Sequence, residues 1–381
     1  MNNFGNKFMT FINLDKVDDR INFYISNKEL HNTKILDFDY PIVRDFLKVK
    51  KFSNHYIVPL ANYESLYFHN ISFIDLELIS CKIAYLDVNI IEKINNYMKG
   101  SKIQYADEFL ECMNYLKQNF ILDVTPSVIE RISNNPNNKL FKESIDSFLK
   151  FKKPGVFDEH TSFIKLDQSD LEEKNAMLQA SDKYANDEIL IKQYYFIYCM
   201  ILKAYLLKHD GSLDNKNKIL KLIEFCDLDI NMMAIQELYA LCLYLDKGNS
   251  NRIFGKLGAP KSKILKNIAN IAWDFINNRL AEQRGIFQDN DLIKLPYIVT
   301  MDQGMRDYIN LNSRKFITYT NGIYFPVFEK NVGAISDEFG VDRGYIEYLS
   351  SADRREERKG KINNVDIKKI RSNLESDFSK I

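Results

Sequence analysis

The stretch Cys81-Lys82-Ile83-Ala84-Tyr85-Leu86-Asp87-Val88-Asn89-Ile90-Ile91-Glu92-Lys93-Ile94 decides the reading of this chain. An apolar run ends on an acid, and a helical pattern begins at once. A carboxylate at the C-terminal end of a buried strand stands at the edge where α/β folds gather their ligands. A matching stretch recurs late, Leu295-Pro296-Tyr297-Ile298-Val299-Thr300-Met301-Asp302-Gln303-Gly304-Met305-Arg306-Asp307, again strand, acid, helix. Two strand-end aspartates in one chain suggest a metal site built from carboxylates far apart in sequence.

Working outward, the 381 residues are too many for one small domain and suggest roughly two to three units. Hydrophobic residues at 45% and aromatics at 13% provide for a large core and argue against general disorder. Basic and acidic residues balance at 52 each, so no global positive field draws the protein onto nucleic acid. Such contact would need a local basic patch or bound cations. Cys81, Cys112, Cys199, Cys226 and Cys242 form no C-x-x-C pair and read as buried, reduced thiols. The five histidines are scattered, without the spacing of a helical metal pair. The N-terminus lacks the pattern of a signal peptide. The longest apolar stretch, Tyr194 to Leu207, contains Lys203 and is too short to span a bilayer. The expectation is a soluble, cytoplasmic protein without a membrane partner.

The chain divides into an N-terminal accessory region (1–80), a core (81–310) with a helical insertion at about 151–260, and C-terminal strands with a charged tail (311–381). Phe8–Ile12, His55–Leu60 and Ile71–Leu76 read as short strands. Thr125 and Pro126 suit the N-cap and first position of a helix that carries Glu130. Residues 151–190 are polar and read as a loop or hinge, followed by a buried helix from Ile189 to Lys208. Arg354 to Lys361 reads as a solvated helix or mobile tail.

Four acids stand out by position: Asp87, Glu130, Asp274 beside the lone tryptophan Trp273, and Asp302. Asn270 lies one helical turn before Asp274 and can face the same point. Each acid alone reads more readily as a solvated, capping or salt-bridging residue. Together, hard oxygen ligands without His or Cys select Mg²⁺ or Mn²⁺, ions suited to phosphodiester hydrolysis.

Leu86-Asp87-Val88-Asn89 resembles the opening motif of the PIN-domain (PilT N-terminus) nucleases. Asp274 on a helix, followed by the strand that ends Thr300-Met301-Asp302, resembles the family's closing pair. The resemblance spans residues 81 to about 310. It implies a central parallel sheet with helices on both faces, and metal-dependent endonuclease action, usually on RNA. It further implies Asp87, Glu130, Asp274 and Asp302 as catalytic metal ligands, Asn89 as a supporting polar group, and Thr300 as an orienting one. About 140 residues separate Glu130 from Asp274, far more than a minimal domain of this kind needs. Glu237, on an apolar helix, therefore competes for the second position, with Asp229 and Asp307 as weaker alternates.

Lys247, Arg252, Lys256, Lys261, Lys263 and Lys266 form the densest basic stretch of the mid-chain and lead into the Asp274 helix. They read equally as a phosphate track for nucleic acid or as a solvated face. No G-x-x-x-x-G-K-S/T loop is present. A nuclease of this kind would suit a toxin or defence effector. The competing readings are a non-catalytic PIN-like binding or assembly module and a receiver- or phosphatase-like domain, although the latter's Asp-x-Asp is missing. The sequence leaves homo-oligomerisation open.

Overall fold

The computed structural model describes residues 3–31, 33–40, 47–69, 80–134, 139–153, 165–248, 252–285, 293–320, 323–330 and 332–381. Helices α1 (Asn3–Ile12) and α2 (Val17–Ser26) precede strands β1 (Lys34–Asp37), β2 (Tyr56–Pro59), β3 (Tyr67–Phe68) and β4 (Ser80–Leu86). Then come α3 (Val88–Met98), α4 (Ala106–Asn119), β5 (Ile121–Asp123), α5 (Thr125–Asn134) and α6 (Lys139–Lys152). A helical section follows: α7 (Gln168–Ala185), α8 (Glu188–His209), α9 (Asn215–Glu224), α10 (Ile235–Lys247) and α11 (Lys261–Gly285). The chain closes with β6 (Ile293–Thr300), α12 (Gln303–Leu311), β7 (Arg314–Thr320), β8 (Ile323–Phe328), α13 (Val332–Phe339), α14 (Arg343–Ser350), α15 (Ala352–Lys361) and α16 (Ile367–Lys380).

The protein is mixed α/β with two four-stranded sheets. One has the order β2-β6-β4-β5: β4 runs parallel to β5 and β6, and β2 is antiparallel at one end. The other, β3-β1-β7-β8, is antiparallel. Where a central parallel sheet is expected, the sheet is mixed, because β2, from the first 80 residues, pairs antiparallel with β6. The antiparallel sheet likewise joins N-terminal β1 and β3 to C-terminal β7 and β8. The mixed sheet thus takes in a strand from before residue 80, and the antiparallel sheet joins strands from before 80 to strands after 310.

Alternation along β4 and β6 explains how the mixed sheet is buried. Successive side chains leave opposite faces of a strand. Ile83, Tyr85 and Ile298 enter a core formed largely with α8 to α11, whereas Ala84, Leu86, Tyr297 and Val299 enter one formed with α3, α4 and α6. With helices on both faces, β4 and β6 become near-continuous apolar runs.

Several local expectations change. Phe8–Ile12 is helical: it ends α1, and Phe11 packs against Tyr24, Leu30, Ile35 and Phe316. The Ile71–Leu76 stretch lies outside the described residues. Within the polar section 151–190, Gln168–Ala185 is a helix, started by a capping box between Asp167 and Asp170. The charged run from Arg354 is no free tail. Arg354 and Arg358 of α15 are buried and ion-pair with buried Asp227. α8 is long and apolar enough to cross a membrane by length and composition, but most of its apolar window is packed inside the fold.

Candidate active site

Register brings the two strand-end aspartates together. β4 and β6 are adjacent and parallel with Leu86 opposite Val299, and the Asp87 N–H donates to the Val299 carbonyl (2.9 Å). Each acid then opens a helix. Asp87 caps α3 by accepting from the Val88 N–H (2.6 Å), and Asp302 caps α12 by accepting from the Gly304 N–H (2.7 Å). The capping role and the placement at the sheet edge are therefore the same geometry.

Around Asp87 the polar residues of both motifs interlock. Thr300 donates from Oγ1 to Asp87 Oδ2 (2.7 Å), and Asn89 donates from Nδ2 to the same oxygen (2.6 Å). Thr300 Oγ1 also accepts from the Asp302 N–H (3.0 Å), and Asn89 Oδ1 accepts from the Met301 N–H (3.3 Å). Asn89 and Thr300 thus fix both strand ends to one another.

Glu130 arrives from α5, which follows the neighbouring parallel strand β5. That helix begins at Thr125, whose N–H is held by the Asp123 carboxylate (2.7 Å), so Asp123 takes the capping part expected of Thr125. Glu130 Oε2 accepts from Asn277 Nδ2 (2.6 Å), one turn beyond Asp274 on α11. Sequence reasoning missed Asn277; its one signal was the i+3 spacing from Asp274. Asn270, expected in that part, is exposed on α11 and makes no hydrogen bond to these acids among the described residues.

Electrostatic interactions link the four acids to one another. Burial, then the negative charges of Asp274 and Asp87, push Glu130 up to about 8. Burial, with Asp87 and Asp302 nearby, pushes Asp274 up to about 7, against the pull of Lys256. Burial also raises Asp87, opposed by its bonds from Thr300 and Val88. Burial works against the charge on Asp302 as well, but Lys256 and the Gly304 and Met305 N–H groups hold it below the ordinary carboxylate value.

Lys256 is the resident cation. Its Nζ lies 2.9 Å from Asp302 Oδ2 and 3.8 Å from Asp274 Oδ2. It comes from a 3₁₀ segment, Arg252–Gly258, which packs on the start of α12. Gly304 permits that approach: a Cβ there would stand 2.8 Å from Ile253 Cα and 2.9 Å from Ile253 N. Asn267 of α11 pins the segment by donating to the Lys256 carbonyl (2.7 Å).

The remaining predicted residues lie elsewhere. Glu237 is buried in a two-pronged ion pair with Arg279 (2.6 and 2.7 Å) that draws its pKa down despite burial. Asp307 pairs with Arg306 (2.9 Å) and lies 3.8 Å from Arg252, which also bonds Gln303. Lys261 donates to the Ser379 carbonyl (3.1 Å), and Lys263 is exposed. Of the basic stretch, Lys256 alone is drawn into the acid cluster.

The donor set is of the type a hard divalent ion takes: carboxylate oxygens from separate elements, three of them (Asp87, Glu130 and Asp274) raised by burial and by neighbouring negative charge. As the side chains stand, no group of three or more His, Cys, Asp or Glu among the described residues is arranged to hold a metal. Ion binding would require displacement of the Lys256 ammonium. The raised acids make metal-free stability depend on pH. Unfolding lets Glu130 and Asp274 return to ordinary values of 4.5 and 3.8 and release protons that the folded state retains. Their contribution therefore falls as pH rises from these values towards about 8 and levels off above it. Glu130→Gln is expected to flatten that decline in urea unfolding and to stabilise the metal-free protein at alkaline pH by on the order of 1–2 kcal/mol. An unchanged pH slope would show that Glu130 is not the coupled group.

Comparison with known proteins gives no relative: no family model matches the chain, and no curated protein and no solved structure matches it.

Proposed function

We propose that this protein is a Mg²⁺- or Mn²⁺-dependent endonuclease, acting on RNA, with a PIN-like catalytic edge. The reading rests on one observation: Asp87 and Asp302 follow adjacent parallel strands, and electrostatic interactions link them with the helix-borne Glu130 and Asp274. The preference for RNA comes from the resemblance of Leu86-Asp87-Val88-Asn89 and Thr300-Met301-Asp302 to the PIN family. Asp87, Asp274, Asp302 and Glu130 are the residues that would hold the ion. The chemistry supplied by such an ion is polarisation of a phosphoryl oxygen and a lowered pKa for an attacking water.

The protein's own groups divide the remaining work. Asn89 and Thr300 orient the Asp87 carboxylate, and Asn277 orients Glu130. Without an ion, burial and the charges of Asp274 and Asp87 push Glu130 up to about 8, so it retains a proton around neutrality that it would release on holding an ion. That proton belongs on Oε1, since Oε2 accepts from Asn277. The Lys256 ammonium, once released from Asp302 and Asp274, offers a donor to a substrate phosphate.

The direct test is incubation of the protein with single-stranded RNA in Mn²⁺, in Mg²⁺ and in EDTA. Internal cleavage in either ion and none in EDTA is expected. A second reading, a non-catalytic module, is favoured by the Lys256 ammonium among the acids and by the lack of a ready ligand set among the described residues. Failure to cut RNA or DNA with either ion would support it.

A further inference from the structure

A cleft of about 540 Å³ opens between the C-terminal end of α5 and helices α8, α11 and α16. Four of its lining residues are aromatic: Tyr194, Tyr195, Tyr198 and Trp273. Tyr194 stacks on Trp273 with ring centres 4.8 Å apart and planes at 28°. Tyr195 lies edge-on to Tyr194 (5.3 Å), and the Arg371 guanidinium lies over both Tyr195 (5.1 Å) and Tyr198 (5.5 Å). The polar groups are directional. Asn134 accepts from the Trp273 indole N–H (3.2 Å), and Glu375 accepts from Arg371 (2.8 Å) and from the Tyr198 hydroxyl (2.9 Å).

The chemistry of this lining selects a flat ring. Arg371 is already neutralised by Glu375, so it offers a planar stacking surface more than a free charge for phosphate. The volume falls within the range of small-molecule sites, roughly 300–1,000 Å³. Aromatic faces with a few polar groups at the edge bind bases of single strands, because every base has a face to stack.

The position ties the cleft to the cluster. Trp273 immediately precedes Asp274 on α11, and Asn134 lies one turn beyond Glu130 on α5. The Tyr194 hydroxyl is close enough to Glu130 to feel its charge.

We propose that this cleft holds one unpaired base of a single-stranded nucleic acid, with the adjoining phosphodiester directed to the carboxylate cluster. The inference rests on the nuclease reading for its substrate class, but binding can be tested apart from cleavage. A base bound there would require the target to be unpaired, so duplex RNA is excluded from the cleft.

Trp273 is the chain's sole tryptophan, so its fluorescence reports directly on the cleft. A short oligoadenylate is titrated into the protein in EDTA, where no cleavage occurs. Saturable quenching is expected, and a duplex of the same length should produce none. Tyr195→Ala should weaken binding by roughly tenfold or more, the scale of one lost base–aromatic stack. Tyr195→Phe keeps the ring and should bind as the wild type does, which separates stacking from misfolding. Quenching that is absent, or equal affinity for Tyr195→Ala and wild type, would overturn the proposal. The two readings fail separately. Quenching without metal-dependent cleavage would overturn the nuclease assignment and leave the cleft standing. Cleavage by the wild type with unmoved Trp273 fluorescence would overturn the cleft alone.

Discussion

Asp87→Asn is expected to lower metal-dependent cleavage by about a hundredfold or more, since even groups supporting a metal ligand contribute roughly 10- to 100-fold. The substitution removes the charge while keeping the shape. An asparagine oxygen can still accept from the Val88 N–H, so the start of α3 survives. The other carboxylate oxygen accepts from both Thr300 and Asn89, and an amide nitrogen there would face the Asn89 amide nitrogen. That mismatch costs about 1 kcal/mol or somewhat more. Removal of a buried charge whose pKa is already raised works in the opposite direction. Thermal unfolding should therefore move little while cleavage collapses. Full cleavage by a folded Asp87→Asn protein would remove Asp87 from the chemistry and sink the placement of the active site on the carboxylate cluster.

Asp87 and Asp302 are legible in the sequence because an apolar run that stops on an acid and turns helical marks the ligand edge of an α/β sheet. Their meeting follows from pairing β4 beside β6, which the two matched motifs suggest. Glu130 against Glu237 is not decidable in the same way: both are helix-borne acids near apolar residues. What separates them is Arg279, five residues after Asp274, which neutralises Glu237. No local pattern specifies that a guanidinium on one helix faces a carboxylate on another. In the sequence Lys256 is one member of a basic stretch. Its place among the acids depends on Gly304 admitting the backbone of Ile253, a contact between segments about fifty residues apart. The N-terminal strands are partly legible for a similar reason. His55–Leu60 is recognisable, but the pairing of β2 with β6 joins residues separated by more than half the chain. Phe8–Ile12, rich in aromatics, pairs with no strand among the described residues and takes the helical form that buries Phe11. Propensity yields there to tertiary packing.

The same limit applies to the charged run from Arg354, whose buried ion cluster predicts the largest loss of stability. Asp227→Ala is expected to cost about 3–5 kcal/mol, the usual result of removing one partner from a buried ion pair. Asp227 is 1% exposed and receives Arg354 (2.5 Å) and Arg358 (2.8 Å), themselves 5% and 7% exposed. It sits in a π-helical turn, Phe225–Asp229, so its loss releases α15 from the end of α9. Two guanidiniums would be left close together in a site of low dielectric, with Glu357 as the remaining partner of Arg354. A lower urea midpoint, with the wild-type slope, measures the effect. Joint replacement of Asp227, Arg354 and Arg358 by apolar residues of similar size should recover much of the stability, because desolvation of all three charges is then avoided. The consequence for function is specific. Arg371 and Glu375, which wall the aromatic cleft, belong to α16, directly after α15. Asp87, Glu130, Asp274 and Asp302 belong to other elements. In Asp227→Ala, oligoadenylate affinity should therefore fall before the pH dependence contributed by Glu130 and Asp274 changes. Loss of both together at mild urea would show that α15 and α16 hold the carboxylate edge as well as the cleft.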